Sequence, residues 1–118
     1  MKFLCLVYME PNVFDPFTPA EQQAMIDDSL EYDVRLRRDG HFISADALQP
    51  ATTAKTVRVR NGKSTVTDGP FAETREVLGG FVLIEAKDME EAIRLAAGIP
   101  SARVGSIEVR PILQLSHS

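Results

Sequence analysis

Hydrophobic and polar positions along the chain fall into six short strand-like runs and two helical stretches. Phe3-Leu4-Cys5-Leu6-Val7-Tyr8 is an almost unbroken apolar run, the pattern of a central strand, and it predicts a strand over 2–9. Glu10-Pro11-Asn12 ends it. Thr18, Pro19 and Glu21 then make a helix start. A hydroxyl stands at the N-cap, proline at the first helical position and glutamate at N3, completing a capping box. Met25, Ile26, Leu30, Val34 and Leu36 recur at helical spacing and predict one broad packing stripe. Gly40, after Arg37 and Arg38, stops the helix, which covers 19–38.

His41 to Leu48 predicts a second strand, limited by Pro50. Thr56-Val57-Arg58-Val59-Arg60 alternates with period two, Asn61-Gly62 follows, and Lys63 to Thr67 returns. This is a β-hairpin with Val57 and Val59 on one face. Asp68-Gly69-Pro70-Phe71 cannot continue a central strand. Gly69 permits an unusual backbone angle, Pro70 lacks an N–H, and Asp68 is suited to bonding nearby amides. Ala72 to Leu78 reads as a loop or short helical turn, Gly79-Gly80 as a separator, and Phe81 to Ala86 as a further central strand. Asp88 with Glu91 opens a second helix, packing through Met89, Ala92, Ile93, Ala96 and Ala97 and stopped by Gly98 and Pro100. Ile107-Glu108-Val109-Arg110 alternates as the last strand.

The order predicts an α+β fold: one domain over 1–118, with a ferredoxin-like β-α-β-β-α-β core, an inserted β-hairpin and both helices on one sheet face. The other face is the difficulty. Alternation sends either Leu4, Leu6 and Tyr8 or Phe3, Cys5 and Val7 to it, and both sets are apolar. A homodimer joined through the sheet faces covers such a surface without a further domain.

Charge and composition narrow the function. The 118 residues, 44% apolar, are enough for a core without metal or disulfide staples. Residues 1–54 carry 4 basic and 9 acidic side chains, and residues 55–118 carry 9 and 8. That balance argues against direct nucleic-acid binding, while the second half still suits a small anion. Cys5 is the single cysteine, so no internal disulfide and no cysteine-based zinc site is expected; in its apolar run it reads as buried and inert. No apolar run approaches a membrane span, and a cytoplasmic protein is expected. The glycines form neither a dinucleotide fingerprint nor a phosphate loop, and His41 and His117 have no metal or triad spacing. The expectation is no cofactor and no metal.

Candidate chemistry gathers around Asp68, with Glu73, Arg75 and Glu76 close behind it. A carboxylate beside an arginine stays ionised, while a second carboxylate is pushed toward its neutral form. Asp68, Arg75 and Glu76 are therefore the catalytic candidates: acid or base, electrostatic stabiliser and tuning neighbour. Arg58, Glu73, Glu108 and Arg110 are candidate ligand-binding residues, brought near by the fold. Turn capping by Asp68, and glutamate pairing or subunit contact by the arginines, are the competing structural roles.

Asp68-Gly69-Pro70-Phe71, extending through Ala72-Glu73-Thr74-Arg75-Glu76-Val77-Leu78-Gly79-Gly80-Phe81, resembles the DGPF group of the YciI-related family. The opening Met1 to Tyr8, the middle Thr56 to Arg60 and the ending Gly105 to Pro111 are similar too, so the resemblance spans nearly the whole chain. It implies a dimeric α/β-barrel type of fold. It does not carry over the histidine–aspartate pair proposed as catalytic in the wider family, because residues 19–38 contain no histidine and His41 comes too late. Arg75 stands where relatives carry lysine, and Ala45 and Asp46 where glycine and glutamate are common. Some relatives are encoded beside sigma-factor genes, which implies a regulatory association.

Three readings follow. The first is a small homodimer binding a small polar or anionic metabolite near Asp68 and Arg75. The second is a cofactor-free enzyme moving a proton. The third is a protein-interaction module associated with transcriptional regulation.

Overall fold

A computed structural model describes residues 1–117. Strand β1 (Lys2–Met9) leads to helix α1 (Pro19–Arg38) and strand β2 (Phe42–Ala47). A hairpin of β3 (Lys55–Arg60) and β4 (Lys63–Asp68) follows, then β5 (Val77–Glu85), helix α2 (Met89–Ala97) and β6 (Ser106–Pro111). The main sheet has the order β2-β5-β1-β6, with every neighbouring pair antiparallel, and β3–β4 stands apart as a two-stranded ribbon. This is the ferredoxin-like strand order, and the two apolar runs occupy its centre.

Local chemistry accounts for the element ends. Thr18 Oγ1 accepts from the Glu21 amide at 3.1 Å, and Glu21 Oε1 accepts in return from the Thr18 amide at 2.9 Å. That hydrogen bond from Thr18 holds the Glu21 carboxyl below the usual glutamate range. Asn61 and Gly62 both take positive φ, at 52° and 76°. The type I′ turn requires this, and it matches the twist of the two arms.

Alternation resolves which apolar row meets the helices. Phe3, Cys5 and Val7 are buried with Val82 and Ile84 against Leu36 of α1 and Ala92 and Ala96 of α2. Phe3 and Ile84 are almost wholly enclosed, and each such burial contributes roughly 2 kcal/mol. The Tyr32 hydroxyl ties the helices together by donating to the Leu95 carbonyl at 2.6 Å.

Cys5 lies inside this core, and burial pushes its thiol from 9.0 up to about 11. The raised value means that the folded chain holds the thiol proton while the unfolded chain loses it. Stability is therefore unaffected by this group below pH 9 and falls between pH 9 and about 11, by up to roughly 3 kcal/mol. Denaturation of wild type and Cys5→Ala across that range should show the difference between their slopes. Equal slopes would mean the thiol is accessible.

Two sequence expectations are corrected. Gly79-Gly80 does not separate elements but lies within β5, which begins at Val77. The reason is close packing: a Cβ on Gly80 would come within 2.8 Å of the Asp46 carbonyl oxygen on β2, so glycine lets the strands pair. The α1 stripe does not pack as one face. Leu36 is buried, but Ile26, Leu30 and Val34 are 51%, 60% and 57% exposed. The hairpin valines share one face as expected, and that face is turned to water, with Val57, Val59 and Val66 at 63%, 58% and 62% exposure.

Candidate functional site

The strand order builds a second sheet face, opposite the helices. Leu4 pairs between Leu83 and Arg110, and Leu6 between Phe81 and Glu108. Tyr8 lies opposite Ser106, and beyond the bulge after Val7 it meets Leu78. On the other edge, Ser44 pairs with Leu83 and Asp46 with Phe81. Because alternate residues share a face, the result is an apolar centre of Leu4, Leu6, Tyr8, Phe81 and Leu83. It is flanked on β6 by Ser106, Glu108 and Arg110 and on β2 by Ser44 and Asp46. The central side chains are only half covered.

The residues singled out from sequence divide into three places. Glu76 reaches the β6 edge, where its Oε1 accepts from Ser106 Oγ at 2.8 Å. Glu108 and Arg110 sit two residues apart on that edge and form an ion pair. Asp68 is at the foot of the hairpin, 85% exposed at its side chain and ion-paired with Lys55, and Arg58 lies on the same ribbon. Its carboxylate is thus engaged by a lysine across the ribbon. Arg75 donates through Nε to Glu10 Oε1 at 2.6 Å, just beyond β1. That hydrogen bond makes the guanidinium hold its proton more tightly than usual. Glu73 is exposed in the loop between β4 and β5. The structure therefore brings Glu76, Glu108 and Arg110 to one edge, and it gives Asp68 and Arg75 separate partners.

Several participants were not singled out from sequence. Ser44, Asp46 and Ser106 join the face through register, which needs the strand order. The Lys55–Asp68 pair had a readable signal. Counting outward from Asn61-Gly62 puts Lys55 directly opposite Asp68.

Among the described residues no charged or polar side chain is buried, and no cluster of three or more His, Cys, Asp or Glu is placed to hold a metal. The Glu108–Arg110 pair is exposed, and such pairs contribute at most about 1 kcal/mol. A ligand carboxylate is able to displace Glu108 from the Arg110 fork at small expense. Two clefts, of about 410 and 430 Å³, open elsewhere. One is beside α1 near Tyr32 and Arg103, and the other lies between α2 and β6 near Ile93 and Val109. No helix among the described residues is long and apolar enough to cross a membrane.

The fold and this face define an α+β chain with a ferredoxin-like core and one amphipathic, uncovered sheet surface. The chain belongs to the YCII-related domain family, whose model matches residues 1–116. It is 33% identical over 114 residues to an uncharacterised protein of Rhizobium meliloti (strain 1021), covering 95% of this chain and 92% of that one. Among solved structures it is similar to 5-chloro-2-hydroxyhydroquinone dehydrochlorinase from Burkholderia phenoliruptrix AC1100, in complex with 2,5-dihydroxybenzoquinone. That likeness has a TM-score of 0.47 and 16% identity, covering 100% of this chain and 96% of that chain.

Proposed function

We propose that the chain is a homodimer, joined through its open sheet faces, that binds a small polar or anionic metabolite at the β6 edge of the joined faces. One observation carries this reading: an apolar centre of Leu4, Leu6, Phe81 and Leu83 stands only half covered between two polar edge strands. Facing copies would bury the centre and leave the edges to line a chamber. No charged residue among the described ones is buried, so a covering copy would supply the low-dielectric setting in which a few polar groups recognise a ligand strongly.

In this reading Arg110 is the principal anion contact, Glu76 and Ser106 position polar groups of the ligand, and Glu108 occupies the arginine when no ligand is present. Asp68 shapes the hairpin through Lys55 and moves no proton. A thermal-shift screen of small carboxylic and hydroxylated acids tests it. A ligand at a hundred times its Kd should stabilise the fold by roughly 2.7 kcal/mol. Arg110→Ala should lose about 2 kcal/mol of that binding, close to thirtyfold in Kd, with an unchanged far-ultraviolet spectrum. A ligand bound equally well by Arg110→Ala would remove the β6 edge from the account.

A further inference from the structure

The main sheet is unfinished along β6, one of its two outer strands. The Ile112 amide donates to the Lys2 carbonyl at 2.9 Å, and β1 sets Leu4 opposite Arg110 and Leu6 opposite Glu108. Backbone groups alternate in direction along a strand, so the even-numbered residues bond β1 while Ile107 and Val109 turn their N–H and C=O outward. Over this edge α2 overhangs a cleft of about 430 Å³ lined by Met89, Ile93, Ala96, Ile107 and Val109, and Ile93 is 56% exposed. An open backbone edge under an apolar overhang has the shape of a place for one more strand.

The chain carries a segment of matching pattern. Beyond the end of β6 at Pro111, Leu113-Gln114-Leu115-Ser116 alternates apolar and polar positions with the period of a strand. Leu113 and Leu115 are 79% and 85% exposed. Their own chain has no way to seat them in its cleft. Ile112 still runs beside β1, in line with β6, so a return along the outer edge needs at least a two-residue turn. That turn would use up Leu113 and Gln114 and set Leu115 opposite Ile112, short of both Val109 and Ile107. These two leucines reach an α2–β6 cleft only on another copy.

We infer that the two copies of the facing pair exchange their C-terminal segments: Leu113 and Leu115 of each lie along the β6 edge of the other and fill its α2–β6 cleft. This rests on the facing-sheet reading and adds a seam to it. A two-fold axis lying between the sheets and across their strands brings the two β6 edges together antiparallel. Val109 of one copy then pairs with Leu113 of the other and Ile107 with Leu115, and the axis passes at Pro111, which has no N–H to leave unpaired. Alternate residues share a face, so this register sets the leucines with Ile107 and Val109 on the helix side. Glu108 and Arg110 stay on the chamber side. A slip of one residue would present Gln114 to the apolar cleft instead.

The test uses the full chain, each variant first checked for native circular dichroism. One chain carries Val109→Cys with Leu113→Cys, and a second carries Val109→Cys with Gln114→Cys. Four residues of extended strand hold the first two thiols too far apart to close within one chain, and Cys5 is buried. Mild oxidation should link the Leu113→Cys chains as covalent pairs, with at least fivefold less product from Gln114→Cys. Leu113→Ser with Leu115→Ser should weaken self-association about a hundredfold and leave the single chain's fold intact, because both side chains are exposed there. A wild type that pairs, while neither cysteine chain links and the serine variant associates as tightly, would overturn the exchange and leave the facing pair standing. Equal yields from Leu113→Cys and Gln114→Cys would also overturn it. Linked Leu113→Cys chains that persist undiminished when Phe81→Asp is added would uphold the exchange and reject facing sheets. A wild type that stays a single chain, with no link in either cysteine chain, would reject both.

Discussion

Replacing Gly105 by alanine is expected to destabilise the fold by about 3 kcal/mol, near the upper end for a substitution that adds only one methyl group. Gly105 is the residue before β6, and a Cβ there would overlap the carbonyl oxygen of Tyr8 on β1. That oxygen belongs to a central strand held by β5 and β6 together, so it has no room to retreat. The chain must instead lift the start of β6, which carries Ser106, Glu108 and Arg110. Urea denaturation should show the loss with a nearly unchanged m-value, and the melting temperature should fall by more than 10 °C. A loss below 1 kcal/mol would mean that β6 does not approach Tyr8 so closely, and the register of the β6 edge would need revision.

The second large effect concerns assembly. Phe81→Asp places a carboxylate at the centre of the open sheet face, beside Asp46 on the neighbouring strand. A single chain should tolerate this, because Phe81 is only half covered and its face is solvated. Two chains joined through that face should not, since an unpaired charge at a desolvated contact costs roughly 4 kcal/mol. Self-association should weaken about a thousandfold while the far-ultraviolet spectrum stays native. Unchanged association would show that the contact lies elsewhere on the chain.

The secondary structure was largely readable because its signals are local. Thr18-Pro19 with Glu21 gives the start of α1, Asn61-Gly62 fixes the turn and pairing of the hairpin, and Asp88 with Gly98 brackets α2. Gly79-Gly80 misled for a physical reason. A glycine pair has the same local appearance whether it makes a turn or lets a neighbouring strand come close, and only the position of Asp46 distinguishes the two.

The α1 stripe shows a related limit. Periodicity groups Ile26, Leu30 and Val34 on one side of a helix, yet it does not say which side meets the sheet. Here Leu36 and the half-buried Tyr32 take that place. The candidate site was legible only in fragments. Glu108 and Arg110 could be put on one strand face from alternation. Their neighbours Leu4, Leu6 and Ser106 depend on the β2-β5-β1-β6 order, which no short stretch of sequence contains. Asp68 stands out in the sequence because acidic and basic residues crowd its loop, and in the fold its exposed carboxylate pairs with Lys55.

Sedimentation equilibrium of the wild-type chain, run alongside Phe81→Asp at low micromolar concentration, bears most directly on whether the bare sheet surface belongs to a pair. The account predicts twice the chain mass for wild type and a single chain mass for the variant. A wild-type protein that sediments as one folded chain throughout, indistinguishable from Phe81→Asp, would contradict it.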